Sequence, residues 1–397
     1  MEFDFDKPIK REGTAAVKFD GREAYFGTQD VAPMWVADMD FAVPACVTDA
    51  LAQRAGHPVF GYTLYPESLY HSIINWFQRR FHWKIEREWI VMAPGVVPSL
   101  HACCLAFAER GEGVIVQPPV YFPFFSAVKN TQRQLVLNPL QQINGRYEIN
   151  FTQLENQARH ARLLMLCTPH NPVGRVWTKT ELLRVLSIAK EHNLTILSDD
   201  IHADLVYPGS IHTMLGSLTG EFDEFVVNNV ITAVAPSKTF NIPGLGLSSL
   251  IIPNPANRKA VRDVFDLLHV SNNNPFSIAA FEAAYNGGDQ WLDALLQYLD
   301  ANKNFVQDFL ARHLPQIKLI EPEGTYLLWL DCSALKLTDE QLKKFFIEKC
   351  KVGLNPGIVF GDEGKGFMRM NIGTRRTEIE KALIAIKDAC SVLLRGG

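Results

Sequence analysis

The feature that most limits what this chain can fold into is a rhythm of short apolar runs. They are "EGVIVQPP" (112–119), "RLLMLCTPHNP" (162–172), "LTILSDD" (194–200), "FVVNNVITAVA" (225–235) and "GLSSLIIP" (246–253). Runs of this length, bounded by Gly, Pro, Asn and Asp, read as buried strands. Helical patterns lie between them. In "TKTELLRVLSIAKEHN" (178–193), Leu182, Leu183, Leu186 and Ala189 recur at helical spacing, and Glu181 supports the first turn. Strand–helix–strand repetition predicts an α/β fold, a mostly parallel sheet with helices on both faces. Such sheets bind ligands beyond the carboxyl ends of their strands.

The rhythm changes near residue 288. "GGDQWLDALLQYLDANKNFVQDFLARHLP" reads as a long helix, "GTYLLWLDC" and "FMRMNIG" as strands, and "TDEQLKKFFIEKCKVG" and "TEIEKALIAIKDACSVLLR" as helices. This predicts a smaller α+β domain. A chain of 397 residues exceeds what one core needs. The expected division is an irregular N-terminal segment (1–45) packing with the small domain, a large domain (46–288) and a C-terminal small domain (289–397).

Composition narrows the function classes. With 39 basic and 43 acidic residues, the net charge is -4, which argues against a nucleic-acid or anionic-membrane partner held by charge. "MEFDFDKPIKREGT" lacks the apolar stretch of a secretory signal, and no window is apolar enough for a membrane span. The seven cysteines are odd in number and form no CxxC. A disulfide framework or zinc site is not expected, and a cytoplasmic location is. Cys103 and Cys104 read as helix core.

Three polar residues then stand out at strand ends, in chain order: Asn171, Asp199 and Lys238. In a parallel sheet these ends converge. An amide, a carboxylate and a lysine in one crevice suit pyridoxal phosphate, which needs a lysine for its Schiff base and an acid at its pyridine nitrogen. Singly, each has a plain reading: a solvated lysine, a helix-capping aspartate, an Asn-Pro turn. A phosphate cradle has a candidate in "VMAPGVVPSLHACCLAF", where Gly95, Val96 and Val97 open a helix. Ser237 offers a hydroxyl, and Tyr121 in "QPPVYFPF" an aromatic face.

With these residues in place, the chain resembles, over nearly its whole length, a fold-type I pyridoxal-phosphate enzyme of the class I/II aminotransferase superfamily. "TPHNPVGRVWTKTEL", "LSDDIHADLVY", "PSKTFNIPGLG" and "MRMNIGTRR" carry the likeness in the family's order. "MWVADMDFAVP", "FGYT", "PPVYFPF", "SDDIHADL" and "PEGTYLLWLD" are more closely similar to the MalY/PatB-type cystathionine β-lyases. Two departures from ordinary aminotransferases agree with that branch: His202 stands where a tyrosine is common, and Gly246 where a phosphate-binding arginine is common. "NIGTRR" departs from the Cys-Pro-Arg ending frequent in the branch.

The resemblance implies an aspartate-aminotransferase fold with a pyridoxal 5'-phosphate cofactor in the large domain. It implies that Lys238 forms the Schiff base and moves the α-proton. Asp199 would pair with the pyridine nitrogen, Asn171 would donate to the phenolic oxygen with His202 nearby, and Tyr121 would stack on the ring. Arg369, helped by the Ala37 backbone, would hold the substrate carboxylate. Gly95, Val96, Val97 and Ser237 would cradle the phosphate, joined by Tyr62 from a neighbouring subunit of a homodimer. The implied reaction is carbon–sulfur β-elimination in methionine and cysteine metabolism. An aminotransferase needs the same core residues, and a scaffold serving mainly to bind a regulator is a third reading. No metal is implied.

Overall fold

The computed structural model describes residues 3–218, 220, 222–270 and 273–395; the first two residues of the charged N-terminus lie outside that range. Its centre is a seven-stranded sheet. In chain order the strands are β1 (Ile90–Ala93), β2 (Gly113–Val116), β3 (Gln134–Leu137), β4 (Ala161–Cys167), β5 (Thr195–Asp199), β6 (Val230–Val234) and β7 (Ser248–Ile251). Their order across the sheet is β1-β7-β6-β5-β4-β2-β3. β2 to β6 run parallel to one another, whereas β7 is antiparallel to both β6 and β1. The predicted mostly parallel sheet is therefore present, with one reversed strand.

Alternation along the strands feeds two cores. Leu164, Leu166 and Ile196 pack with Leu182, Val185, Leu186 and Ala189 of helix Lys179–Glu191. Leu163, Met165, Leu197 and Ile231 pack on the other face with Leu100, Cys103 and Cys104 of helix Val96–Phe107. Helix Lys179–Glu191 begins where the sequence places it because Thr178 caps it. The Thr178 Oγ1 accepts from the Glu181 N–H at 3.2 Å, and the Glu181 carboxylate accepts from the Thr178 N–H at 2.7 Å. This satisfies two otherwise orphaned donors.

One expected strand is corrected. In "FVVNNVITAVA", residues 225–229 belong to helix Asp223–Asn229, and only Val230–Val234 is strand. A short apolar run has no periodicity to separate the two.

The second sheet has four antiparallel strands, β8 (Lys318–Ile320), β9 (Leu327–Asp331), β10 (Asn355–Pro356) and β11 (Phe367–Asn371), ordered β8-β9-β11-β10. Leu328, Leu330, Met368 and Met370 pack against Leu299 and Val306 of the 25-residue helix Asp289–His313, and against Ile379 and Leu383 of helix Arg376–Arg395. The N-terminal segment is not wholly irregular. It forms two short helices, Val17–Asp20 and Arg22–Phe26, and Ala32–Pro33 pairs in parallel with Val352–Gly353. All seven cysteines are free. Among the described residues, no helix is long and apolar enough to cross a membrane.

Candidate active site

Register brings the polar strand ends together. Cys167, which ends β4, pairs with Asp199, which ends β5, and Asp199 pairs with Ala233 of β6. Asn171 follows β4, and Lys238 sits in the short helical turn Pro236–Thr239 after β6. Tyr121 follows β2 and is tied to Asn171 by its backbone N–H, which donates to the Asn171 carbonyl at 3.1 Å. A cavity of about 220 Å³ collects these four residues together with Ala37, His202 and Ser237. Gly95, Val96 and Val97 line its other end.

That end is a helix N-terminus without a capping side chain. Gly95 is the residue before helix Val96–Phe107, with φ at 152°, a backbone that only glycine adopts readily. A Cβ there would also stand 3.4 Å from the Pro98 ring. The first-turn N–H groups of such a helix have no intrahelical acceptors and favour an anion. Gly246, at φ 48°, lines the same region.

Lys238 is half-buried, and its Nζ donates to the Ala37 carbonyl at 2.7 Å. Burial lowers its pKa from 10.5 to about 8; Asp38 and Asp199 oppose that shift, and Arg369 adds to it. Burial raises Asp199 to about 7, with Asp200 adding and the Ile201 N–H, 3.2 Å from Oδ1, opposing. His202 is neutral, held at about 3 by burial and by the Lys238 and Arg369 charges. Its Nδ1 is buried without a partner.

Arg369 lies on β11, opposite Trp329 and Asn355. Its Nη1 donates to Asn171 Oδ1 at 3.0 Å, and its Nη2 donates to the Trp35 carbonyl at 3.0 Å and to Asn355 Oδ1 at 2.7 Å. An arginine only donates, so the Asn171 oxygen must face it, which leaves the Asn171 amide NH₂ to donate elsewhere. The Arg369 Nε is a buried donor without an acceptor. Burial lowers this guanidinium to about 10, so it stays charged at neutral pH.

These groups fit pyridoxal phosphate. The buried orphan donor on Arg369, the unpartnered His202 nitrogen, the freed Asn171 amide, the buried carboxyl and amine, and the uncapped helix start each match one of its requirements or those of an amino-acid substrate. Tyr62 is the exception within one chain. It is fully exposed, beside exposed Val59, Phe60 and Leu64, and does not line the cavity.

Sequence reasoning missed several residues here. Ile201 lines the cavity along with Tyr121. Cys167 also lines it, and its Sγ accepts from the Asn171 N–H at 3.5 Å. The Tyr326 hydroxyl donates to the Ala37 carbonyl at 2.9 Å. The Thr239 hydroxyl donates to Asp204 at 2.9 Å, fixing the turn that carries Lys238. Ile201, Asp204, Thr239 and Tyr326 lie in segments whose likeness to the family was already visible, but none carried a role there; Cys167 lies just before one.

Because only a neutral amine attacks a carbonyl, the rate of cofactor capture by cofactor-free protein is expected to depend on pH. It should rise about tenfold per unit below pH ~8 and flatten above, as Lys238 loses its proton. Stopped-flow absorbance across that range checks this. A profile still climbing steeply at pH 10 would place Lys238 at its ordinary value.

Comparisons with known proteins agree with this geometry. The family model for "Aminotransferase class I and II" matches residues 30–386. Cystathionine beta-lyase PatB of Bacillus subtilis is 41% identical, over 98% of this chain and 100% of its own. Protein MalY of Escherichia coli is 32% identical over 98% of each chain. The crystal structure of cystalysin from Treponema denticola, which contains pyridoxal 5'-phosphate, superposes with a TM-score of 0.93 at 36% identity, covering 99% of this chain and 100% of that one. The chain belongs to the class I and II aminotransferase family.

Proposed function

We propose that this protein is a pyridoxal-phosphate-dependent carbon–sulfur β-lyase that converts L-cystathionine, or a related S-substituted cysteine, to a thiol, pyruvate and ammonia. The observation that carries the reading is the convergence of Lys238, Asp199 and Asn171 on one cavity, with Arg369 hydrogen-bonded to Asn171. Full-length similarity to PatB supports the choice of lyase.

When bound, the cofactor supplies an electron sink for the pair left behind as the α-proton departs. Asp199 would hold a negative charge against the ring nitrogen and keep a proton there. The Asn171 amide would donate to the phenolic oxygen beside neutral His202. The helix start at Gly95, Val96 and Val97, with the Ser237 hydroxyl, would take the phosphate. Arg369 would bind the substrate carboxylate through the donors its structural partners leave free. Neutral Lys238 would take the α-proton at Nζ. Tyr121 would stack on the ring, and Ile201 lines the site with it. The C–S bond then breaks with its electron pair leaving on sulfur, and the three-carbon remainder takes up water to give pyruvate and ammonia.

The supporting structure of the proposal is a homodimer. A second copy would cover exposed Val59, Phe60 and Leu64 and bring Tyr62 to the partner's phosphate cradle. Three parts, 1–45, 46–288 and 289–397, and a cytoplasmic location with unpaired thiols complete the reading.

Pyruvate release from L-cystathionine, with cofactor present and no keto acid added, tests it. Pyruvate and homocysteine in equal amounts are expected. No pyruvate, but amino-group transfer once a keto acid is supplied, would make the protein an aminotransferase.

A further inference from the structure

Residues 35–41, Trp-Val-Ala-Asp-Met-Asp-Phe, form neither helix nor strand. They are nonetheless held at nearly every position. Asn371 Nδ2 donates to the carbonyls of Val36 and Asp38 at 2.5 and 2.7 Å. Asn241 accepts from the Met39 N–H at 2.8 Å and donates to the carbonyls of Met39 and Phe41, both at 2.9 Å. The Asp40 N–H donates to the Gly373 carbonyl at 2.8 Å. At the centre lies the Ala37 carbonyl, which accepts from both Lys238 and Tyr326.

Four charges gather on this segment. Arg11 grips Asp38 with both terminal nitrogens, at 2.9 and 2.7 Å, and reaches Asp40 at 2.6 Å. Lys18 Nζ lies 3.1 Å from both Asp40 oxygens and 3.8 Å from an Asp38 oxygen. The Lys18 side chain is fully buried, and those of Arg11, Asp38 and Asp40 are only 19%, 16% and 11% exposed. Two cations and two carboxylates cancel. Burying an ion is unfavourable unless partners compensate, so the cluster is a costly way merely to fill space. Trp35 joins it to the site: its ring N–H donates to the Lys18 carbonyl, and its own carbonyl accepts from Arg369, each at 3.0 Å.

We propose that Arg11 and Lys18 are positioning residues for the reaction, pinning Asp38 and Asp40 so that segment 35–41 presents the Ala37 carbonyl, and the Asp38 charge behind it, to Lys238. Neither cation touches the cavity; both act through the segment. The charged groups acting on Lys238 come from three elements: Asp38 on this segment, Asp199 on β5 and Arg369 on β11. Of these, Asp38 is the one whose charge is balanced by Arg11. The inference rests on Lys238 being the reactive lysine of the proposed function.

The test is the pH profile of cofactor capture by cofactor-free Arg11→Gln, Arg11→Lys, Lys18→Met and Asp38→Asn proteins, with pyridoxal phosphate as probe. Arg11→Gln and Lys18→Met leave Asp38 less neutralised, and each should move the midpoint up, by about one pH unit for Arg11→Gln. Asp38→Asn should move it down. Arg11→Lys, which keeps the charge, should return it toward wild type. Opposite shifts are not produced by general loosening, and the partly exposed Arg11 is a mild site to change, so Arg11→Gln decides the matter even where a change at buried Lys18 unfolds the chain. An unchanged midpoint in folded Arg11→Gln and Asp38→Asn, or shifts of one sign in both, would overturn the proposal. Lyase turnover enters none of these readouts: an unshifted midpoint overturns this inference with the lyase reading intact, whereas shifted midpoints without pyruvate formation leave it standing and remove the lyase.

Discussion

Lys238→Ala is expected to abolish turnover, lowering pyruvate formation from L-cystathionine by about 10⁴-fold or more. Two losses combine. The cavity loses the amine that would bond the cofactor, and it loses the base that would take the α-proton. Among the described residues, no other lysine lines the cavity. The fold should survive, because the Ala37 carbonyl keeps the Tyr326 hydroxyl as a donor. The sign of the stability change follows from the pKa. Lys238 is lowered from 10.5 to about 8 in the folded chain. Its burial therefore costs stability fully below pH ~8, and the cost fades as pH rises toward 10.5. The melting temperature of cofactor-free Lys238→Ala, relative to wild type, should thus be higher near neutral pH than at high pH. Pyruvate assays paired with thermal melts check both parts. Normal turnover in a well-folded variant would remove Lys238 from the chemistry.

Asp199→Asn is the second large effect. Asparagine keeps the shape, and its oxygen can still accept from the Ile201 N–H that now meets Asp199 Oδ1. It cannot carry the negative charge. Burial already holds the carboxyl at about 7 in the cofactor-free chain, so the charge depends on a cationic partner to be fully present at neutral pH. With asparagine the ring nitrogen loses that partner, and turnover should fall about 10²–10³-fold while cofactor content stays near wild type. Turnover normalised to bound cofactor, measured by absorbance, is the check. An unchanged rate would exclude the assigned role.

Much of this site could be read from sequence because its chemistry sits where strands end. Asn171, Asp199 and Lys238 each close an apolar run, and adjacent parallel strands bring such ends together whatever lies between them. Strand direction was less legible. Ser248–Ile251 is reversed, and an apolar run carries no mark of which way it runs. β1 and β3 passed unnoticed, and β3 is a partly exposed edge strand without a continuous buried face. The supporting residues were hidden for a different reason. Arg11 and Asp38 are 27 residues apart, and Arg369 and Trp35 are 334 apart. No periodicity links such pairs; only the packed tertiary structure does. Cys167 sits at the end of an apolar run, and its contact with the Asn171 N–H depends on how the chain turns after β4.

The most direct test of the central claim is to load the protein with pyridoxal phosphate, reduce it with borohydride and map the modified residue by peptide mass spectrometry. The account predicts one stable adduct per chain, on the peptide carrying Lys238, and none in Lys238→Ala. A single adduct on another lysine, or no adduct at all in protein that forms pyruvate, would contradict it.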